Sequence, residues 1–509
     1  MTNDAMQNDT MQPVGGKTQG SEFSWERWQW ERPALPPKQV FVLMGCALLL
    51  GILFDRLVAA APVNSALGPG WGAFWLGFAT LFCALFWRKA VCRWQAWAVA
   101  GIAVLLCAGN LLRSRGVISI INLPVIPLLL VLCAQLITAP DPAEADRIVG
   151  LRVLQGFFLW PFTRMGDALS TSVTALGKAG KGRGRGILIG LCVAAPLLAV
   201  VCTLLLQADA VALHLAQNIV RELPIGQTLL HVLCVLAIAA LLCSFLINAR
   251  LGGKLGVVHM PPQSWEPATV AVVLASLAAV YALFCAVQFA YLFGSQGLPA
   301  GLTYSKYARQ GFGELLAVAA INLGVFALTL RFARPHALVR ALQMALLVCT
   351  GVLLASGLLR LGLYIGAYGL TWLRVFPYTF MVALCVVLAL CAARLFVPKL
   401  PLLRIVALVC MLWYAGLALV NVEALMVRWN VRNATHTMRT LRTEEKPYVF
   451  TLSSDAVPEL LAYCQTLPEG AHEWVWLHER LDELRAEGSW SLADRRAEAL
   501  LAENLDAKL

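Results

Sequence analysis

The chain has 509 residues, 59% of them hydrophobic and 14% charged, with a mean hydropathy of +0.72. Soluble domains are nearer to half apolar and a quarter charged. The net charge of +11 is spread over short segments between apolar runs, a membrane-protein pattern that argues against a nucleic-acid-binding face.

Residues 1–38 are polar and rich in Asn, Gln, Gly and Pro, which predicts a disordered arm. The first apolar run begins only near residue 40, too far in for a secretory signal, so it is read as an uncleaved span. The GGKT at 15–18 imitates the end of a phosphate loop, but Met11 stands where the first glycine belongs and no strand precedes it. Runs of about 20 apolar residues suit a bilayer core, and backbone in hydrocarbon must satisfy its own hydrogen bonds. The fold class is therefore an all-α integral membrane protein with about eleven transmembrane helices, one interfacial helix and a small C-terminal helical appendage.

The first four spans are predicted at 40–60, 71–87, 94–112 and 117–137. Asp55 and Arg56 lie near the far end of the first, and Pro124 and Pro127 inside the fourth predict a kink there. A long connection, 138–186, follows. Its LRVLQGFFLWPFTRM segment, from Leu151, mixes large apolar groups with Arg152 and Arg164, as a helix lying in the interface would. Its GKAGKGRGRG segment carries Lys178, Lys181, Arg183 and Arg185, a basic loop suited to anionic lipid headgroups. Seven further spans are predicted at 187–206, 228–247, 267–293, 312–330, 337–359, 375–395 and 403–420. Arg360 stands where the ninth would end, and leaves open whether that helix continues tilted or broken.

Eighteen Lys and Arg flank one set of alternate loops and eight the other, which places the N-terminus in the cytoplasm. An odd number of spans then puts the tail outside. The membrane domain is read as 39–421 and the tail as 422–509. The tail carries helical stripes at Val457, Leu460, Leu461 and Cys464, and at Trp474, Leu477, Leu481 and Leu484. Ser454 or Asp455 is placed to cap the first stripe, and Ser491 with Asp494 forms a capping-box pattern before a third helix, 491–505. Such a tail is expected to dock on the membrane domain or on a protein partner.

Polar side chains within spans are costly and mark interhelical hydrogen bonds or sites. Gln288, Tyr291, Tyr304, Tyr307, Arg309, Glu314, Asn322, Arg360 and Tyr364 form the candidate binding set, with Glu314 expected to neutralise Arg309 or Arg360. No catalytic residue is assigned, because no GxSxG elbow occurs. His472 and His478 are six apart, on different helical faces, so no zinc helix forms, and no metal or cofactor is expected. The 15 cysteines include no CxxC pair and read as small buried hydrophobes.

QFAYLFG at 288–294, LPAGLTYSKYARQGFGELLAVAAINL at 298–323, NVEALMVRWNV at 421–431 and LSSDAVPEL at 452–460 together resemble a bacterial multipass membrane family, domain of unknown function 4153 (formerly 4173). The most specific block is carried by Tyr307, Ala308, Arg309, Gly311, Phe312, Glu314 and Leu315. The chain departs from the family pattern at Glu423, where Asp is usual, and at Trp429, where Tyr is usual. The resemblance implies a bacterial inner-membrane location and no defined activity. The reading it leaves is a non-enzymatic signalling or envelope-associated component. A secondary transporter with a polar cavity near 288–323 and a membrane-embedded transferase are the alternatives.

Overall fold

Apolar runs of bilayer length fold as helices throughout the computed structural model, which describes residues 35–90, 94–114, 116–138, 149–167, 170–171, 225–252, 265–288, 312–433, 446–468, 471–488 and 491–505. Helix α1 (Pro37–Phe54) runs on through a π-helical turn, Asp55–Ala59. It is followed by α2 (Trp71–Ala90), α3 (Trp94–Leu112) and α4 (Val117–Thr138). Two shorter helices, α5 (Val149–Phe158) and α6 (Trp160–Thr163), precede α7 (Ile225–Leu251) and α8 (Pro267–Gln288). Next come α9 (Phe312–Phe332), α10 (Ala337–Tyr368), α11 (Trp372–Phe396) and α12 (Leu402–Leu419). The tail holds α13 (Val422–Arg432), α14 (Val457–Cys464), α15 (His472–Glu487) and α16 (Leu492–Leu505).

Among the described residues, 10 helices are long and apolar enough to cross a membrane. They coincide with ten of the eleven predicted spans, and the protein is an all-α multipass membrane protein. The predicted span at 187–206, the basic loop carrying Lys178, Lys181, Arg183 and Arg185, and the arm at 1–34 lie outside the described residues. The α4 helix stays continuous through Pro124 and Pro127. The α10 helix passes Arg360 without a break and reaches 32 residues. Its sequence has no proline to break it.

Between lipid-exposed helices the hydrophobic effect gives little, and close packing decides association. Gly51 of α1 shows how: a Cβ there would lie 2.6 Å from the carbonyl oxygen of Val235 on α7, so only glycine lets the two backbones approach. On α2, Phe78, Phe82 and Phe86 repeat every four residues and form a ladder, with Phe78 and Phe82 against Phe245 of α7. A second cluster surrounds α10, with Phe326 of α9 and Met381 of α11 buried in it. The α12 helix touches both α3 and α11 and so joins the two halves.

The α5–α6 segment is held by protein as well as by its apolar surface. Trp160 is buried beside Phe245 at 5.5 Å. The α6 helix ends after one turn, where the Arg164 N–H donates to Ser244 Oγ (2.9 Å), and this leaves the Trp160 carbonyl to accept from Ser244 Oγ (2.7 Å) and Asn248 Nδ2 (3.0 Å). Phe158 and Phe162 remain exposed on the outer side. The segment predicted as an interfacial helix is thus helical and does not span, and it is pinned on α7 through Trp160.

The tail core is continuous with one pole of the bundle. Met426, Val457, Leu460, Leu461, Cys464, Leu477, Leu481 and Leu501 are buried together with Trp372 and Leu417 of the membrane helices. The capping box forms: Asp494 N donates to Ser491 Oγ (3.0 Å), and Ser491 N donates back to Asp494 Oδ2 (3.3 Å). The cap expected before α14 does not. A 3-10 turn, Ser454–Ala456, intervenes, and α14 starts without a side-chain cap. Asp455 is turned toward the bundle instead.

Candidate functional site

Three membrane turns meet the tail at this pole. The tight turn from α3 to α4 brings Arg113 and Ser114 up against it. The turn from α10 to α11 contributes Trp372, and α12 runs into α13 through Asn421. Gly369, at φ +81°, lets α10 end in a left-handed turn that a residue with a Cβ would strain. Arg374 then caps that end: its Nη1 donates to the carbonyls of Tyr368 (2.7 Å) and Gly369 (2.6 Å), and its guanidinium lies 4.3 Å from the Tyr364 ring.

Glu423, buried in the first turn of α13, is the node between bundle and tail. Trp372 Nε1 donates to its Oε1 at 2.9 Å. Ser453 donates to its Oε2 through both its backbone N–H, at 2.8 Å, and its hydroxyl. A buried carboxylate that accepts three donors is well satisfied. Asn430, one face further along α13, receives the Leu370 N–H (2.7 Å) and gives its amide to the Leu370 carbonyl (2.9 Å).

Two further carboxylates hold Ser114. Its backbone N–H donates to Asp455 Oδ2 at 3.2 Å, and its hydroxyl to Asp494 Oδ1 at 2.6 Å. Arg113 lies 3.8 Å from Asp455 and donates to the Leu419 carbonyl. Burial pushes the Asp455 carboxyl up to about 6. Arg113 and the Ser114 N–H pull it down, while Glu423 and Asp494 push it further up. Asp494 is buried too, yet hydrogen bonds from Ser114, Ser454 and Ser491 hold its carboxyl below the usual range.

A cavity of about 30 Å³ lies beneath, lined among others by Asn110, Ser114, Asn122, Glu423 and Asp455. From it a polar run enters the bundle. Asn122 Nδ2 donates to Asn110 Oδ1 (2.6 Å), and Tyr414 OH donates to Asn122 Oδ1 (2.7 Å). Among the described residues the Asn110 amide nitrogen is buried without a partner. The space equals about one water. The arrangement clamps the tail and offers a proton acceptor, Asp455, near neutral pH. Among the described residues no three His, Cys, Asp or Glu side chains converge as a metal ion requires.

The set anticipated around 288–323 is placed only in part. Tyr291, Tyr304, Tyr307 and Arg309 lie outside the described residues, and Gln288 closes α8. Asn322 is buried and donates to Thr350 Oγ1 at 2.9 Å. Arg360 is buried on α10, and Tyr364 stacks under Arg374 one turn on. Thr350 and Tyr364 stand 14 positions apart on α10, roughly 21 Å along it, so Asn322 and Tyr364 do not share a site. Glu314 is exposed in the first turn of α9, while its neighbour Leu315 faces Leu353 of α10. Among the described residues Glu314 forms no ion pair, and its expected pairing with Arg360 is not made.

Sequence reasoning gave Glu423, Asp455 and Asp494 no role in a shared site. The available signal was their position: Glu423 and Asp455 fall in the sequence blocks at 421–431 and 452–460, and Asn110 and Asn122 interrupt apolar spans.

The fold and the clamp define a class, multipass helical membrane proteins with a helical tail fixed on one pole. The chain belongs to the family described as a domain of unknown function (DUF4153), whose model matches residues 78–463. Arg113, Ser114, Trp372, Glu423, Ser453 and Asp455 lie within the matched stretch, and Asp494 lies beyond it. Neither a curated protein nor a solved structure matches the chain.

Proposed function

We propose that this protein is a non-enzymatic component of a bacterial inner membrane. It holds its helical tail in one orientation at the membrane surface, where the tail engages a protein of a signalling or envelope-associated assembly. The observation that carries this reading is the Glu423 node, which ties Trp372 of the bundle to Ser453 of the tail. A head fastened to three membrane turns is suited to presenting a constant surface. The polar run from the cavity to Tyr414 is what favours transport. The cavity from which that run starts, however, holds about one water.

The test uses a strain lacking the chain, complemented by wild type or by the double variant Glu423→Ala, Ser114→Ala. The variant is expected to insert at normal levels and to fail in restoring the envelope phenotype of the strain. Full complementation by the variant overturns the reading. So does saturable uptake of a small solute by proteoliposomes carrying the wild-type protein.

A further inference from the structure

At the pole opposite the tail, α9 gives way to α10 through Ala333, Arg334, Pro335 and His336. Trp265 pins this turn: its N–H donates to the Phe332 carbonyl (3.1 Å), and the Arg334 N–H donates to the Trp265 carbonyl (3.2 Å). The Trp265 and Phe332 rings meet at 5.3 Å. Paired aromatic rings beside arginines at the end of a span mark the level of lipid headgroups. His336 takes the N-cap of α10, accepting the Leu338 N–H at Nδ1 (3.2 Å).

Between this turn and the end of α11 lies a cavity of about 190 Å³. Arg334, His336, Arg340 and Arg394 line it, and among the described residues no Asp or Glu does. Among the described residues none of the three arginines has an ion-pair partner; Arg394 Nη1 donates only to the Val397 carbonyl, at 3.3 Å. The floor is satisfied already, since Gln343 Nε2 donates to Thr329 Oγ1 at 2.9 Å and both residues are buried. Three cations and the N-terminal end of a 32-residue helix therefore face one space with no acidic side chain among the described residues that line it. Guanidinium forks match phosphate geometry, and the volume holds about six waters, enough for a tetrahedral phosphate.

We propose that this pocket binds a phosphate group presented by an anionic lipid headgroup. The source follows from the surroundings. Leu338, Phe396, Val397 and Leu403, on the adjoining helix ends, are exposed apolar side chains on which acyl chains can lie. A soluble phosphate would gain nothing from them. This inference is independent of the tail and of the reading given above.

The test measures binding of a short-chain phosphatidylglycerol to the purified full chain in neutral detergent, by native mass spectrometry and by thermal shift. Phosphatidylcholine and inorganic phosphate serve as parallel probes. Wild type is expected to bind phosphatidylglycerol, to lose it in high salt, and to bind the other two far more weakly. The triple variant Arg334→Gln, Arg340→Gln, Arg394→Gln is expected to weaken phosphatidylglycerol roughly a hundredfold. Arg56→Gln, at the other pole, is expected to leave it unchanged. If the triple variant does not fold, Arg340→Gln alone, at an exposed position, is expected to weaken binding about fivefold. Triple-variant affinity within about threefold of wild type overturns the site. Equal binding of phosphatidylcholine overturns the need for an anion, and tight competition by inorganic phosphate overturns the lipid source.

Discussion

Trp372 and Glu423, 51 positions apart, meet through an indole N–H to carboxylate hydrogen bond of 2.9 Å, buried where the membrane bundle ends and the tail begins. One partner starts α11 and the other starts α13, so the contact fixes the direction in which the tail leaves the membrane.

Glu423→Ala removes the acceptor for Trp372 Nε1 and for both donors of Ser453. Each buried donor left unsatisfied costs about 1–3 kcal/mol. The variant is expected to lose several degrees of melting temperature in detergent, and its tail to become sensitive to limited proteolysis within residues 446–468. Trp372→Phe, which removes one donor and leaves Glu423 the two donors of Ser453, is expected to lose less. A melting temperature equal to that of wild type in Glu423→Ala would show that the node does not hold the tail.

Asp455 predicts a pH dependence with a definite sign. Its ordinary value is 3.8 and its folded value about 6. Between these pH values the folded chain holds a proton that the unfolded chain lacks. Stability contributed by this group therefore falls as pH rises from about 4 to about 6, and is flat above. The difference is about 3 kcal/mol at most. Asp494, held below its usual range by its hydrogen bonds, titrates under this window. Melting curves from pH 4 to pH 7 should slope downward for wild type, and the slope should be shallower in Asp455→Asn. Parallel curves for the two proteins would remove Asp455 as the titrating group.

Gly51→Ala tests the α1–α7 contact. A Cβ at 2.6 Å from the Val235 carbonyl oxygen cannot be accommodated by a side-chain rotation, because the obstacle is backbone. The helices must separate, and overpacking of this kind costs about 1–3 kcal/mol. Thermal unfolding should show the loss, whereas Gly45→Ala, where a Cβ meets open space on the same helix, should show none.

Topology follows from the charge count. A reporter active only in the cytoplasm is expected to give signal when fused after Lys178, in the most basic loop, and none when fused after Leu509. Signal at both positions would mean an even number of crossings, with the tail on the cytoplasmic side.

Hydrophobicity alone determined the helices, because a chain in lipid has no other way to satisfy its backbone, and run length sets the number of crossings. That is why ten predicted spans and the Ser491–Asp494 capping box reappear in the structure, α10 alone running well past its predicted end. The site was different. Glu423, Asp455, Asp494 and Ser114 lie on four segments separated by up to 380 positions, and each looks locally like a surface or capping residue. Only packing decided that α12 returns beside α3, and that three turns at one pole close over the start of the tail. Local pattern records which face of a helix is apolar. It does not record which neighbour covers that face, so the convergence of these polar groups came from tertiary structure.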